Sequence, residues 1–178
     1  MIIVGIDPGS GVSSPTGLVI YDNESELIIW FGTVTSKAKR AENRIQHISK
    51  EVERVVNLAI GMDPEPLVCI ENFVMRGKGG ETLQMIIGAI ISRMPEEATI
   101  MQPYNTTVKK VVGGNGRAEK PEVAAGVLDV FKNSKSAVFT IKDLIAKERW
   151  DILDALAIGI TGSRQYDDGK KPKRPASP

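Results

Sequence analysis

What this sequence has little of narrows its reading first. Its 178 residues include one cysteine, Cys69, and one histidine, His47. A lone cysteine cannot close an intramolecular disulfide, so a reducing, cytoplasmic setting is expected. No apolar run approaches the roughly 20 residues that a membrane-spanning helix needs. The opening stretch MIIVGIDPGS has neither a basic region nor a small-residue cleavage site, so no signal peptide is read there. An excess of charge of one sign is also missing. The formal net charge is +1, so any binding of nucleic acid must rest on locally concentrated positive charge. With 42% hydrophobic and 25% charged residues the composition excludes a disordered chain, and no internal repeat is found. The length fits one domain with one core, taken as residues 1–165, before a Pro- and Lys-rich basic tail at 166–178 that is expected to be disordered.

The hydrophobic pattern gives an element order. Met1 to Asp7 is a short apolar run stopped by Pro8-Gly9, and it reads as a buried strand ending in a turn. Leu18 to Tyr21 and Leu27 to Val34, separated by the polar turn Asp22 to Ser25, extend it into an antiparallel meander. Between Ala41 and Ile60 the period changes: Ile45, Ile48, Val52, Val55, Val56 and Ala59 form the apolar stripe of a helix. Leu67 to Glu71 reads as a buried strand, Thr82 to Met94 as an apolar helix, and Ala98 to Gln102 as a short strand. Short helices are expected at Val108 to Val112 and from Glu119 or Lys120 to Phe131, with a clear final helix from Trp150 to Thr161. Residues 132–148 are ambiguous, polar with a short apolar patch at Ala137 to Ile141. A mixed sheet covered by helices, an α/β three-layer domain, is the predicted architecture.

Four acids stand where acids are least expected. Asp7 and Glu71 end apolar strands, and Asp151 and Asp154 lie in the apolar helical run WDILDALAIGI, spaced to share one face. Singly, each has an ordinary explanation as a turn or capping residue. Jointly that explanation weakens, because Asp154 lies beyond capping position. The carboxyl ends of strands are where α/β sheets build sites. A carboxylate cluster repels itself unless a hard cation such as Mg²⁺ or Mn²⁺ joins it. Two such ions about 4 Å apart can stabilise both the attacking and the leaving oxygen of a phosphodiester displacement. The pattern alone supports a divalent-metal site and leaves the substrate open.

The segments GIDPGS (Gly5–Ser10), Thr16-Gly17, CIENF (Cys69–Phe73), VVGGNGRAEK (Val111–Lys120) and WDILDALAIGIT (Trp150–Thr161) resemble, in order and spacing, the RuvC Holliday junction resolvases. AEK followed by D-x-x-D-A-L-A is the specific part of the match, which spans about residues 1–164. The resemblance implies a ribonuclease H-like fold with a five-stranded mixed sheet and helices on both faces. It also implies a homodimer that holds a four-way DNA junction and resolves it by paired, symmetric nicks. Asp7, Glu71, Asp151 and Asp154 match the family's metal ligands, for Mg²⁺ in two ions per site with Mn²⁺ able to substitute. Lys120 matches a lysine that handles DNA near the site, and its upstream partner falls on Lys109 or Lys110.

Three departures point to a divergent branch, phage or viral, acting in a host cytoplasm. Many cellular members carry a phenylalanine three residues after the glutamate; here that position is Val74, with Phe73 one residue earlier. The Gly11–Pro15 segment differs, and the stretch from Lys132 to Arg149 is longer. DNA contacts are expected from Phe73, from Arg76 and Lys78 in a glycine-flanked loop, and from Lys109, Lys110, Arg117 and Lys120 around a glycine segment that lets the main chain approach a phosphate backbone. The alternatives are a relaxed nuclease cutting forks, flaps or Y-structures, a junction-binding protein without catalysis, and a nucleotide-binding kinase-like domain, for which the chain is short.

Overall fold

The computed structural model describes residues 1–10, 14–73 and 80–169. Arg76, Lys78, Val74 and the basic tail from residue 170 lie outside them. The elements run β1 (Ile2–Asp7), β2 (Thr16–Asp22), β3 (Leu27–Val34), α1 (Ala41–Ile60), β4 (Leu67–Ile70), α2 (Glu81–Ser92), β5 (Thr99–Met101), α3 (Asn105–Gly113), α4 (Lys120–Val130), α5 (Lys135–Ala146) and α6 (Trp150–Asp167). The sheet order is β3-β2-β1-β4-β5. Its first three strands are antiparallel, and β1, β4 and β5 are parallel, so the expected mixed sheet is what forms.

The turn between β2 and β3 is tied by Asp22, whose carboxylate accepts from the Glu24 and Ser25 amides and, at 2.6 Å, from the Ser25 hydroxyl. A short antiparallel turn needs no more than this. The parallel pair β1–β4 cannot be joined so tightly and uses α1 as its crossover. Strand alternation then sorts the side chains into two layers. Ile2, Val4, Ile6, Leu18, Ile20, Val68 and Ile70 pack with the buried stripes of α1 and α2. On the other face, Ile3, Val19, Tyr21, Leu67 and Cys69 pack against α6 and residues of α3, α4 and α5. Helices therefore cover both faces.

Helix α6 is the central one. Every residue from Ile152 to Ser163 except Asp154 is buried, the pattern of a helix enclosed by protein on nearly all sides. It runs beyond the expected end at Thr161 to Asp167. The ambiguous stretch 132–148 contains α5, opened by the Ser134 hydroxyl accepting from the Ala137 amide and burying Ala137, Ile141 and Leu144. That stripe has helical spacing. It is hidden in the sequence by Phe139, an apolar residue that the fold leaves 76% exposed and that blurs the period.

Candidate active site

Strands β1 and β4 lie side by side with Ile6 opposite Ile70, and the Glu71 amide donates to the Ile6 carbonyl at 3.3 Å. Asp7 and Glu71, one residue further on each strand, therefore emerge together at the carboxyl end of the sheet. The turn behind Asp7 is held by Thr16, fully buried, whose hydroxyl accepts from the Gly9 amide at 3.1 Å. The first turns of α6 are pressed onto the same face. A Cβ at Gly5 would collide with the carbonyl oxygen of Ala155, and one at Gly17 with that of Asp151. These two glycines let the helix backbone touch the sheet, and that contact brings Asp154 beside Asp7.

Asp7, Glu71 and Asp154 line one cavity of about 190 Å³ together with Asn105, Val108, Lys109, Ala118, Lys120, Val123 and Ile158. Three separate elements thus deliver three carboxylates to a shared space. Asp151 is not among its lining residues. It sits near enough to act on Asp7 electrostatically, but its carboxylate faces the Arg149 guanidinium at 3.6 Å and leaves one buried oxygen without a hydrogen bond. Arg149 also reaches the Thr33 hydroxyl on β3 at 3.4 Å.

The electrostatics are those of crowded acids. Burial, then the charges of Asp154, Glu71 and Asp151, push Asp7 up from 3.8 to about 8, against the pull of Lys120. Burial raises Glu71 as well, opposed by a hydrogen bond from the Asn105 amide and by Lys109. Asp154 is raised for the same first reason, with Lys120 and Lys109 opposing it. The donors are all hard oxygens and their own repulsion calls for positive charge, which fits Mg²⁺ or Mn²⁺. Among the described residues no three His, Cys, Asp or Glu side chains are gathered closely enough to cage one ion. The acids instead stand on the walls of a cleft, an arrangement suited to ions whose shells are completed by water and substrate.

The lysines separate clearly. Lys109 lines the cavity four residues after Asn105 on the same face of α3, whereas Lys110 is exposed and outside it. Lys120 is the first residue of α4, where Glu119 and Glu122 form a capping box and Pro121 follows in the first turn. Arg117 is exposed and is not part of the cavity wall, its amide donating to the Asn115 side chain at 2.8 Å. Phe73 is half-buried and packs against the α1–α2 core. His47 is exposed on α1. Asn105 escaped the sequence reading. Its signal was its place four residues before a site lysine, which is legible only once α3 is known to start there.

A mixed sheet with helices on both faces and acids at its carboxyl end is the ribonuclease H-like fold. Two solved structures have it. Thermus thermophilus RuvC aligns with a TM-score of 0.68 at 23% identity, covering 95% of this chain and 97% of that one. T. thermophilus RuvC in complex with Holliday junction substrate aligns with a TM-score of 0.69 at 20% identity, covering 97% and 99%. The family model for crossover junction endodeoxyribonuclease RuvC matches residues 3–162. Among curated relatives, the crossover junction endodeoxyribonuclease RuvC of a Wolbachia strain from Brugia malayi is 31% identical over 74% of this chain and 81% of its own length. That of Photorhabdus laumondii is 28% identical over 90% and 85%. The chain belongs to the RuvC family of crossover junction endodeoxyribonucleases and is an enzyme of that class. The family is one of metal-dependent nucleases. Among the described residues no helix is long and apolar enough to cross a membrane.

Proposed function

We propose that the protein resolves four-way DNA junctions by Mg²⁺-dependent hydrolysis of phosphodiesters. The observation that carries this reading is the convergence of Asp7, Glu71 and Asp154 with Lys109 and Lys120 on one cavity at the carboxyl end of β1 and β4. Acids at that spot without basic neighbours would suit a metal store; basic residues beside them suit a phosphate. Both relatives named above are crossover junction endodeoxyribonucleases, and one of the similar structures holds a Holliday junction.

In this reading Asp7, Glu71 and Asp154 hold the cations, and Asp151 joins them from the same helix once its pairing with Arg149 gives way. Cations held there, two per site, would polarise the phosphate and activate a water. Asn105 fixes the rotamer of Glu71 through its hydrogen bond. Lys109 and Lys120 balance the negative charge of the backbone and orient it. Arg117 and Lys110, exposed beside the cavity wall, add phosphate contacts outside it. Paired, symmetric nicks require two such sites, hence a homodimer. Helix α2 supports that arrangement, because its inner face is buried while Met85 remains 60% exposed on the outer one.

The test is a labelled mobile four-way junction, with and without Mg²⁺, beside a replication fork and a linear duplex. Symmetric nicking of the junction alone, dependent on the cation, is the expected result. A second reading, a nuclease less strict for four-way junctions, is favoured by Phe73. Packed on the core, it is not a free wedge for a junction centre. Equal cutting of all three substrates would establish that reading and overturn the first. Asp7→Asn and Glu71→Gln should abolish nicking and leave binding largely intact; cleavage by both would show that the metal site is elsewhere.

A further inference from the structure

Lys120 occupies an unfavourable place for a cation. As the first residue of α4 it faces the positive end of that helix's dipole. Helix stability therefore does not explain its position. The Lys120 ammonium does have a contact, with its nitrogen 5.7 Å from the centroid of the Trp150 ring, within the range of a cation–π interaction. Trp150 opens α6, immediately before Asp151 and one turn before Asp154. Its ring is half-buried against the core formed by α6 and its neighbours, so it is fixed to the helix that carries the acids.

The chemistry of that contact differs from a salt bridge. A carboxylate partner would take up N–H donors in strong hydrogen bonds, while an aromatic face attracts the charge and leaves donors available to a further acceptor. A lysine stem has four rotatable carbons and would otherwise spread its ammonium over a large volume. We propose that Trp150 is a positioning residue that holds the Lys120 ammonium at the cavity with its N–H groups available to a substrate phosphate. The proposal rests on the nuclease reading above, and it extends that reading to a residue whose packing alone would leave it without a role in catalysis.

The test has two arms. The chain has two tryptophans, so Trp30→Phe makes Trp150 the sole indole emitter. In that background Lys120→Met should change the emission of Trp150, while Lys110→Met should not; an unchanged emission with Lys120→Met overturns the contact. The second arm is single-turnover cleavage of a four-way junction. Trp150→Leu should slow it roughly fivefold, the factor that about 1 kcal/mol represents, and Trp150→Phe should restore most of the rate. Junction binding in Ca²⁺ should stay within about twofold for both variants, on the expectation that positioning acts on the reacting phosphate more than on overall affinity. In a Lys120→Met background Trp150→Leu should have no further effect. An equal loss in both backgrounds would show that the ring acts only through packing, and a wild-type rate for Trp150→Leu would show that it does not position the lysine. A protein that cuts no junction would overturn the functional reading, and the emission arm would then still decide the contact.

Discussion

Replacing Asp7 by asparagine should make the metal-free protein more stable, and more so as pH rises. Asp7 keeps its proton in the folded chain up to about pH 8, against 3.8 for an ordinary aspartate, because burial and the neighbouring acids disfavour its charge. Below pH 4 both folded and unfolded chains hold the proton, and stability is at its full value. Between pH 4 and 8 the unfolded chain loses the proton and the folded one keeps it, so stability falls by up to about 1.36 kcal/mol per pH unit. Above pH 8 the loss is complete at about 6 kcal/mol for Asp7, a large fraction of the 5–15 kcal/mol that holds a typical domain together. Asparagine has no charge to bury, but its amide enters a site short of partners, at about 1–3 kcal/mol. The net expectation is a gain of roughly 3–5 kcal/mol for Asp7→Asn at pH 8. Urea unfolding in EDTA at pH 5 and pH 8 measures it, as a midpoint shift with an unchanged slope. Saturating Mg²⁺ should stabilise the wild type and shrink the difference, because a cation bound only by the folded state adds RT ln(1 + [L]/Kd). Equal midpoints for wild type and variant at pH 8 in EDTA would refute the reasoning, since the acids would then not be crowded in the folded chain.

The other predictions concern how the site is assembled. Gly17→Ala would drive a methyl into the Asp151 carbonyl and lift the first turn of α6 from the sheet; it should destabilise by roughly 1–3 kcal/mol and abolish nicking, measured by urea unfolding and junction cleavage. Lys109→Met should lower single-turnover cleavage by at least tenfold, and Lys110→Met should only weaken binding and reduce its salt dependence, because Lys109 alone of the two lines the cavity. Asn105→Ala frees the Glu71 carboxylate from its hydrogen bond; it should weaken Mg²⁺ activation by about tenfold with little change in junction binding, read from a cation titration. Cys69 is fully buried and burial pushes its thiol well above the ordinary value; a thiol reagent should leave the native protein unlabelled and react fully in denaturant.

Much of this was legible in the chain. An apolar run after a polar turn located β3, and a 3.6-residue period located α1, at the observed residues; apolar runs also placed the acids at strand ends and on one helix. The residues recognised as GIDPG, AEK and D-x-x-D-A-L-A carried the family, which the comparisons then showed. Helix α5 was missed, although its buried stripe is regular, because an exposed Phe139 inside it has the hydrophobicity of a core residue and only packing tells the two apart.

The sequence by itself carried the fold class, which the structure shows, and it pointed to a site of carboxylate oxygens and lysines. It could not say which acids face one another, since side chains 64 residues apart, such as Asp7 and Glu71, become neighbours only through the register of β1 and β4. Nor could it choose between Lys109 and Lys110, which differ by one position in sequence and by about 100° around α3. The tertiary structure puts Lys109, and not Lys110, on the cavity wall, and it set Trp150 against Lys120 and turned Asp151 toward Arg149. The physical reason is common to all three. Local patterns report burial, but contacts between elements depend on how closely two backbones approach, and here Gly5 and Gly17 let α6 come down onto the sheet.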